Sequence, residues 1–235
     1  MPSTNTNDNS ALKQQWETWA NSLSPESVDC VAIKVVKPRH AGTVRDELAV
    51  HRQLGDLETV PAQIARLIDS FVVNDHPCLV SEMFGEELGA FVDEWELDTG
   101  EARQTSRDIL LGLKALHDVG ITHTDLKPAN VLYSPKDHHA KLIDFSTATT
   151  TFRKGRHFGT REYRAPEVLL GSTWDPGVDV WSAACTIYEI VTGDLLFNAH
   201  RKAREVRHWL WKKAQRQFDA YRQVRANARK ATPDS

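Results

Sequence analysis

Glycine is absent from the first 41 residues of this 235-residue chain, and cysteine occurs only three times. The missing glycine excludes a glycine-rich phosphate-binding loop from that segment, because loops that bring several backbone amides close to an anion depend on residues without a side chain. Cys30, Cys78 and Cys185 are scattered without the spacing of a metal site. We therefore expect buried, reduced thiols rather than disulfides or metal ligands.

Long apolar runs are also missing. No stretch approaches the length of about 20 residues that spans a bilayer, and residues 1–10 lack the basic and then apolar pattern of a secretory signal. With 40% hydrophobic and 26% charged residues, the composition is typical of a soluble globular protein with one domain or two small ones. We expect a cytoplasmic or nuclear location.

The formal net charge of −3 is unevenly distributed along the chain. Residues 201–235, the basic tail, carry 11 Lys and Arg against three Asp and Glu, a net +8, which leaves −11 on the first 200 residues. Apolar residues recur in the tail at near-helical spacing, at Val206, Leu210, Ala214, Phe218 and Tyr221. The pattern predicts a basic amphipathic helix. Such a helix either packs onto the rest of the chain or binds nucleic acid, an anionic membrane or an acidic protein.

Four polar residues in the middle of the chain have the chemistry that phosphoryl transfer needs. Residues 121–132 read Ile-Thr-His-Thr-Asp-Leu-Lys-Pro-Ala-Asn-Val-Leu, and residues 142–145 read Leu-Ile-Asp-Phe. In-line transfer needs a carboxylate for the hydroxyl proton, a cation near the migrating group and hard oxygen ligands for Mg²⁺. The matching groups are Asp125, Lys127, Asn130 and Asp144. The alternative for Asp125 is a surface loop residue, and Asn130 or Asp144 considered alone could be a turn residue, but the combination at this spacing favours the catalytic interpretation.

Here the chain resembles the eukaryotic protein kinase family, whose catalytic loop has an Asp, a Lys two residues later and an Asn five residues later. Val-Ala-Ile-Lys at 31–34, Ala-Pro-Glu at 165–167 and Asp-Val-Trp-Ser at 179–182 occur in the family's order. His-Thr-Asp at 123–125 and Thr-Gly-Asp-Leu-Leu-Phe at 192–197 are most similar to the SR-protein-specific serine/threonine kinases of the CMGC group.

The resemblance implies an α+β, bilobal fold with a reduced β-rich small lobe and a mainly helical, C-terminally shortened large lobe. We expect a disordered tip and a short amphipathic helix at 1–23, part of the small lobe at 24–84, the large lobe at 85–200 and the basic tail at 201–235. Sequence patterns predict strands at 30–36, 71–73 and 78–83, helices at 45–54 and 102–119, and a buried helix, apolar nearly all round, at 178–191.

The resemblance also implies ATP and Mg²⁺ as cofactors. Asp125 would be the base or hydroxyl-orienting residue, Lys127 would contact the γ-phosphate, and Asn130 and Asp144 would hold Mg²⁺. Lys127 followed by Pro128 resembles serine/threonine rather than tyrosine kinases. The implied ATP-binding residues are Ala32, Lys34 with its ion-pair partner Glu47, the backbone of Glu82 and Phe84, Leu132, Ile143 and Asp144, with the small Ser81 at the back of an open pocket.

The resemblance implies that Glu167 and Asp179 support the structure of the large lobe. In the family this Glu pairs with an Arg late in the large lobe, and this Asp binds backbone amides of the catalytic loop. Five cations precede Glu167, and they either meet an acidic or phosphorylated partner or form a solvated loop: Arg153, Lys154, Arg156, Arg161 and Arg164. His138 and His139 are not expected to form a metal site.

Departures from the family pattern limit the expected activity. Without a glycine upstream of Lys34, ATP should bind weakly and transfer should be slow. Ser146 stands where the family has glycine, and the resemblance fades after residue 200, so Glu167 lacks its expected Arg partner. Thr124 replaces an Arg that binds a phosphorylated activation segment, so we expect an enzyme that is active by default.

Three hypotheses follow from these residues. The first is a serine/threonine kinase that transfers the γ-phosphoryl of Mg-ATP to a protein substrate, such as an Arg/Ser-rich segment. The second is a pseudokinase or scaffold with a kinase fold and no transfer activity, and the third is a truncated kinase fragment.

Overall fold

The computed structural model describes residues 30–57, 60–94, 97–150 and 158–197. Its amino-terminal part is a three-stranded antiparallel sheet with the order β1–β3–β2. The strands are β1 (Val31–Val35), β2 (Leu67–Val73) and β3 (His76–Glu82). Their β-branched and aromatic residues suit a half-buried pleated surface. Asn74 and Asp75, with φ of 46° and 63°, form the tight turn between β2 and β3, a conformation that these two residue types tolerate.

One helix, α1 (Ala41–Gly55), follows β1 after a short 3₁₀ turn at Pro38–His40. It buries Val44, Glu47, Val50 and Leu54 on one face. Glu47 is the charged member of this buried face, and burial of a charge requires a partner. The buried Glu47 carboxylate therefore needs a cationic partner from a neighbouring element.

The second part is mainly helical, with a small three-stranded sheet of order β4–β5–β6. Its strands are β4 (Glu86–Glu87), β5 (Val131–Ser134) and β6 (His139–Leu142). Its helices are α2 (Leu88–Glu94), α3 (Thr99–Asp118), α4 (Pro166–Leu169) and α5 (Gly177–Thr192).

The longest helix, α3, has strong start and stop signals. Asp98 accepts the Glu101 backbone N–H at 2.8 Å, and Glu101 accepts the Asp98 N–H at 2.9 Å, which completes a capping box. The helix ends before Gly120, whose φ is +75°. It thereby delivers the chain to residues 121–130.

A single buried cluster joins the two parts. Leu54 and Ile64 come from the first part and pack with Leu113, Leu142 and Phe145 from the second. At Gly112 of α3, an added Cβ would lie 2.8 Å from a Leu142 side-chain carbon, so the helix and β6 are in close contact. The loop between α3 and β5 is built on this cluster.

The predicted α+β bilobal architecture is confirmed, as are the strand at 30–36, the hairpin at 71–83 and the helix over 102–119. The prediction for 178–191 is wrong in one respect, because α5 is not buried all round. Val180 and Val191 are 55% and 61% exposed, and the buried face includes Asp179 and Thr186. This helix packs against α3, the loop before β5 and the 3₁₀ turn at Arg161–Tyr163, and it leaves one face exposed.

Two further outcomes concern cysteine and membrane association. Cys78 and Cys185 are buried as predicted, but Cys30, the residue before β1, is exposed. Within the described ranges, no helix combines the length and apolar character needed to cross a membrane. The helix predicted within 1–23 and the basic tail lie outside the described residues.

Candidate active site

The loop at 121–130 is fixed to α5 by Asp179, which is fully buried. The Asp179 carboxylate accepts the backbone N–H of His123 at 2.8 Å, the backbone N–H of Thr124 at 2.8 Å and a bond from His117 Nε2 at 2.9 Å. These bonds to the backbone amides are the ones that the resemblance implies for this Asp. Thr124 has φ +69°, and its hydroxyl donates to Thr147 O at 2.8 Å, so the loop backbone is held from two sides.

Asp125 is oriented by several donors. Its Oδ1 accepts the Thr160 N–H and the Thr160 hydroxyl, both at 2.7 Å, and Lys127 Nζ lies 3.3 Å from its Oδ2. Asn130 Nδ2 donates to the Asp125 carbonyl at 2.7 Å. The structure thus brings Asp125, Lys127 and Asn130 together as the sequence predicted.

Thr160 is a contributor that sequence reasoning missed. Lys127 Nζ also donates to its hydroxyl at 3.0 Å, so Thr160 links the cation and the carboxylate. The sequence signal for Thr160 was the preceding glycine, Gly159. Its φ of +73° and the 2.6 Å separation between an added Cβ and Thr124 O leave no room for a side chain. A glycine beside the loop lets the next residue reach Asp125.

Lys34 forms the second cluster, at the boundary between the two parts. Its Nζ lies 3.0 Å from Glu47 Oε2 and 2.7 Å from Asp144 Oδ1. The predicted Lys34–Glu47 ion pair is therefore present. Burial lowers the pKa of Lys34, but the two carboxylates outweigh it, so the net pKa is raised and the ammonium is charged.

The two carboxylates respond differently to this ammonium. Burial, only partly offset by Lys34, raises the pKa of Glu47. For Asp144, burial acts upward as well, but the hydrogen bond and charge of Lys34 leave the pKa below its ordinary value. Asp144, which has φ +61°, is thus ionised near neutral pH, as a metal ligand must be.

A cavity of about 350 Å³ lies between the two parts, within the size range of small-molecule sites. Seven predicted residues line it: Ala32, Lys34, Glu47, Asn130, Leu132, Ile143 and Asp144. Glu82 and Phe84 are not among its lining residues, but they lie in the connector between Ser81 and Glu87, which both line it. Ser81 borders the cavity as predicted, with Leu79 and Leu67 nearby.

His51 on α1 is a cavity residue that the sequence interpretation did not include. Its ring meets the Phe145 ring edge-on, with centroids 5.2 Å apart, and Phe145 in turn meets His123 at 5.5 Å. Burial, together with the charge of Lys34, lowers the pKa of His51 to about 4. The neutral His51 imidazole therefore packs against Phe145. Through Phe145 and His123 it connects α1 to the loop at 121–130.

The donor set around the cavity fits Mg²⁺ with ATP. Asn130 uses its amide nitrogen to hold the Asp125 carbonyl, which leaves its amide oxygen for a cation. Asp144 Oδ1 accepts bonds from Lys34 Nζ and the Ser146 N–H, and Oδ2 is the second oxygen of the same carboxylate. Two such oxygens suit Mg²⁺, which takes few protein ligands and completes its shell with phosphate and water.

Several predicted residues lie apart from these clusters. Glu167 is on α4, and its support role stays a prediction. Arg153, Lys154 and Arg156 are outside the described residues, whereas Arg164 donates to the Gly159 carbonyl. His138 and His139 contact carboxylates of α3, at Glu101 (3.1 Å) and Asp108 (2.9 Å).

Comparison with known proteins agrees with this geometry. Residues 21–232 match the model of the protein kinase domain, so the match continues past residue 200, where the resemblance was expected to fade. The chain is 36% identical over 176 residues to a probable dual specificity protein kinase YAK1 homolog of Encephalitozoon cuniculi, covering 71% of this chain and 43% of that protein.

Two further relatives are similar at comparable levels. Serine/threonine-protein kinase Doa of Drosophila melanogaster is 31% identical over 204 residues, covering 73% of this chain and 24% of that protein. Human dual specificity tyrosine-phosphorylation-regulated kinase 3 is 32% identical over 173 residues, covering 66% and 29%. The chain thus spans less than half the length of each of these relatives. It belongs to the protein kinase domain family.

Proposed function

We propose that this chain is an ATP- and Mg²⁺-dependent protein kinase that phosphorylates serine and threonine hydroxyls. The observation that carries the proposal is the joint placement of Asp125, Lys127 and Thr160 within hydrogen-bonding distance of one another. Lys34 and Asp144 border the cavity between the two parts. In this proposal the first group would form the hydroxyl site and the second the phosphate site.

In this proposal the protein residues position the reactants and stabilise charge. The Asp125 carboxylate orients the substrate hydroxyl and takes its proton as the oxygen–phosphorus bond forms and the bond from the γ-phosphorus to ADP breaks. Lys127 stabilises the transferring phosphoryl, and Lys34 binds the α- and β-phosphates. Bound Mg²⁺, held by Asn130 and Asp144, would neutralise charge on the phosphates.

Adenine would lie between Ala32 and the pair Leu132 and Ile143, because these apolar residues line the cavity from the first and the second part of the protein, respectively. The connector backbone at Glu82 and Phe84 would bind its polar edge. This arrangement puts the base near Ser81 and the phosphates near Lys34.

The substrate class follows from charge and from the loop. The net −11 of the first 200 residues favours a basic partner, and the branch resemblance favours an Arg/Ser-rich protein. Lys127 before Pro128 favours serine or threonine. Because two of the relatives have names that include dual specificity, a tyrosine substrate belongs in the test.

The test is phosphoryl transfer from labelled ATP to three matched Arg-rich peptides that contain serine, threonine or tyrosine. We expect Mg²⁺-dependent transfer to serine and threonine, and a loss of about 10²- to 10⁴-fold in Asp125→Asn, the range for a removed general base. Asp118→Asn, an exposed Asp on α3, is the control. Equal rates in wild type and Asp125→Asn would remove Asp125 from the mechanism.

A second candidate function is a scaffold that has the kinase fold without transfer. Two observations favour it: the absence of glycine before Gly42, and the 2.7 Å bond by which Lys34 occupies Asp144 Oδ1. Purified chain that melts cooperatively but gains no stability with Mg-ATP would support the scaffold. A chain without a cooperative melt would support the fragment hypothesis.

A further inference from the structure

Lys141 on β6 binds the connector that joins the two parts of the protein. Its Nζ donates to both carboxylate oxygens of Glu82 at 2.8 Å. The same ammonium lies 4.6 Å from the centroid of the Phe84 ring, a cation–π distance. Glu82 is the last residue of β3. The Lys141 side chain therefore contacts both connector residues that are assigned to the adenine edge, Glu82 and Phe84.

Glu82 is itself held on its other side. Its Oε1 accepts the Arg66 N–H at 2.7 Å, and its own N–H donates to the Arg66 carbonyl at 3.0 Å. The side chains of Lys141 and Glu82 are only 17% and 23% exposed, so water screens this pair less than an open surface pair. The Glu82 carboxylate accepts three hydrogen bonds from two protein donors and has a defined orientation.

Lys141 is also rigidly placed. It pairs with Leu132 across the β5–β6 ladder, and the next residue, Leu142, exchanges hydrogen bonds with Gln63 and Ala65. Among the described residues that line the cavity, neither Lys141 nor Glu82 is present, although Leu132 and Ile143 beside Lys141 are. The pair therefore acts from outside the nucleotide cavity.

We propose that Lys141 is a positioning residue that fixes the connector at 82–85 against β6 and thereby sets the affinity for the adenine base. The inference rests on the proposed function, because it concerns the same nucleotide site. Without the Lys141 bonds the connector must be ordered when the base binds, and that ordering weakens binding. Loss of the Lys141 bonds does not affect the chemical step, in which Asp125 and Lys127 take part.

The first test compares Lys141→Met with wild type in the full chain. We expect the KM for ATP and the Kd for adenosine to rise by the same factor, about five- to thirtyfold, as for a lost charge-assisted hydrogen-bonded pair. The kcat should stay within about twofold. Lys141→Arg should restore most of the affinity. Lys136→Met, an exposed lysine in the turn of the same hairpin, is the matched control and should change neither constant.

An unchanged KM and Kd in Lys141→Met, with wild-type turnover intact, would overturn the inference and leave the proposed function standing. A loss of kcat at constant KM would overturn it as well, because the residue would then act on the chemistry.

The second test needs no nucleotide. Because Glu82 holds the Arg66 N–H, native-state hydrogen exchange at the Arg66 and Glu82 amides should become about tenfold faster in Lys141→Met and stay the same in Lys136→Met. Unchanged exchange contradicts the positioning role even if the chain does not turn over ATP. Wild-type protein that fails to bind ATP contradicts the proposed function instead, and with it the nucleotide half of the inference.

Discussion

Asp179→Asn should destabilise the protein strongly although it changes the side-chain volume very little. In wild type, Oδ2 accepts from His117 and the His123 N–H, and Oδ1 accepts from the Thr124 N–H. An asparagine has only one oxygen and presents N–H groups at the other position. In either orientation of the amide, one buried backbone N–H of the loop loses its acceptor and faces another donor.

The expected magnitude follows from that loss. A buried donor without an acceptor costs about 1–3 kcal/mol, and bonds to a charged acceptor are the stronger ones, so we expect a loss of about 2–4 kcal/mol in the free energy of unfolding. For a chain of this size, this lowers the Tm by roughly 5–15 °C.

Urea unfolding followed by tryptophan fluorescence measures this quantity. Asp118→Asn is the control, because Asp118 is exposed and its ion pair among the described residues is with Lys114 one helical turn away, so its loss should cost about 0.5 kcal/mol or less. If Asp179→Asn is as stable as Asp118→Asn, the carboxylate does not hold the loop, and the reasoning from these three bonds is refuted.

Two further predictions concern His51 and Gly85. Since burial and Lys34 lower the pKa of His51 to about 4, from an ordinary value near 6.5, the unfolded state binds more protons between these pH values. Stability should therefore fall as pH drops through that window, by up to about 1.4 kcal/mol per pH unit, and His51→Leu should reduce this slope in urea unfolding at pH 4.5 and 6.5; identical slopes would exclude His51 as the source. Gly85→Ala should cost more than about 2 kcal/mol in the same assay, because φ is +47° and the new Cβ would lie 2.0 Å from Tyr133 O, whereas Gly120→Ala, with φ +75° and open space, should cost about 1 kcal/mol. Equal losses in the two glycine variants would show that the connector moves aside.

The sequence predicted those parts of the site whose residues lie in short motifs with fixed roles. Asp125, Lys127 and Asn130 are within six residues of one another, and Lys34, Glu47 and Asp179 were assigned partners by family pattern. The structure contains the expected ion pair and amide bonds.

Contacts that depend on tertiary placement were not predicted. Thr160 reaches Asp125 across 35 positions, and Lys141 reaches Glu82 across 59, without a local pattern that marks either pair. The burial of α5 was overestimated for a related reason. Its composition is apolar nearly all round, but which face is covered depends on neighbours in space rather than on the helix itself.

Binding of Mg-ATP by the full chain tests the central claim most directly. A ligand that binds only the native state stabilises it by RT ln(1 + [L]/Kd), so ATP at about 100 times Kd adds about 2.7 kcal/mol and raises the Tm by roughly 5–10 °C. We predict a saturable rise in Tm that requires both ATP and Mg²⁺ and is greatly reduced in Lys34→Met. No rise at millimolar Mg-ATP, or an equal rise in Lys34→Met, would contradict the claim that this cavity binds the nucleotide for phosphoryl transfer.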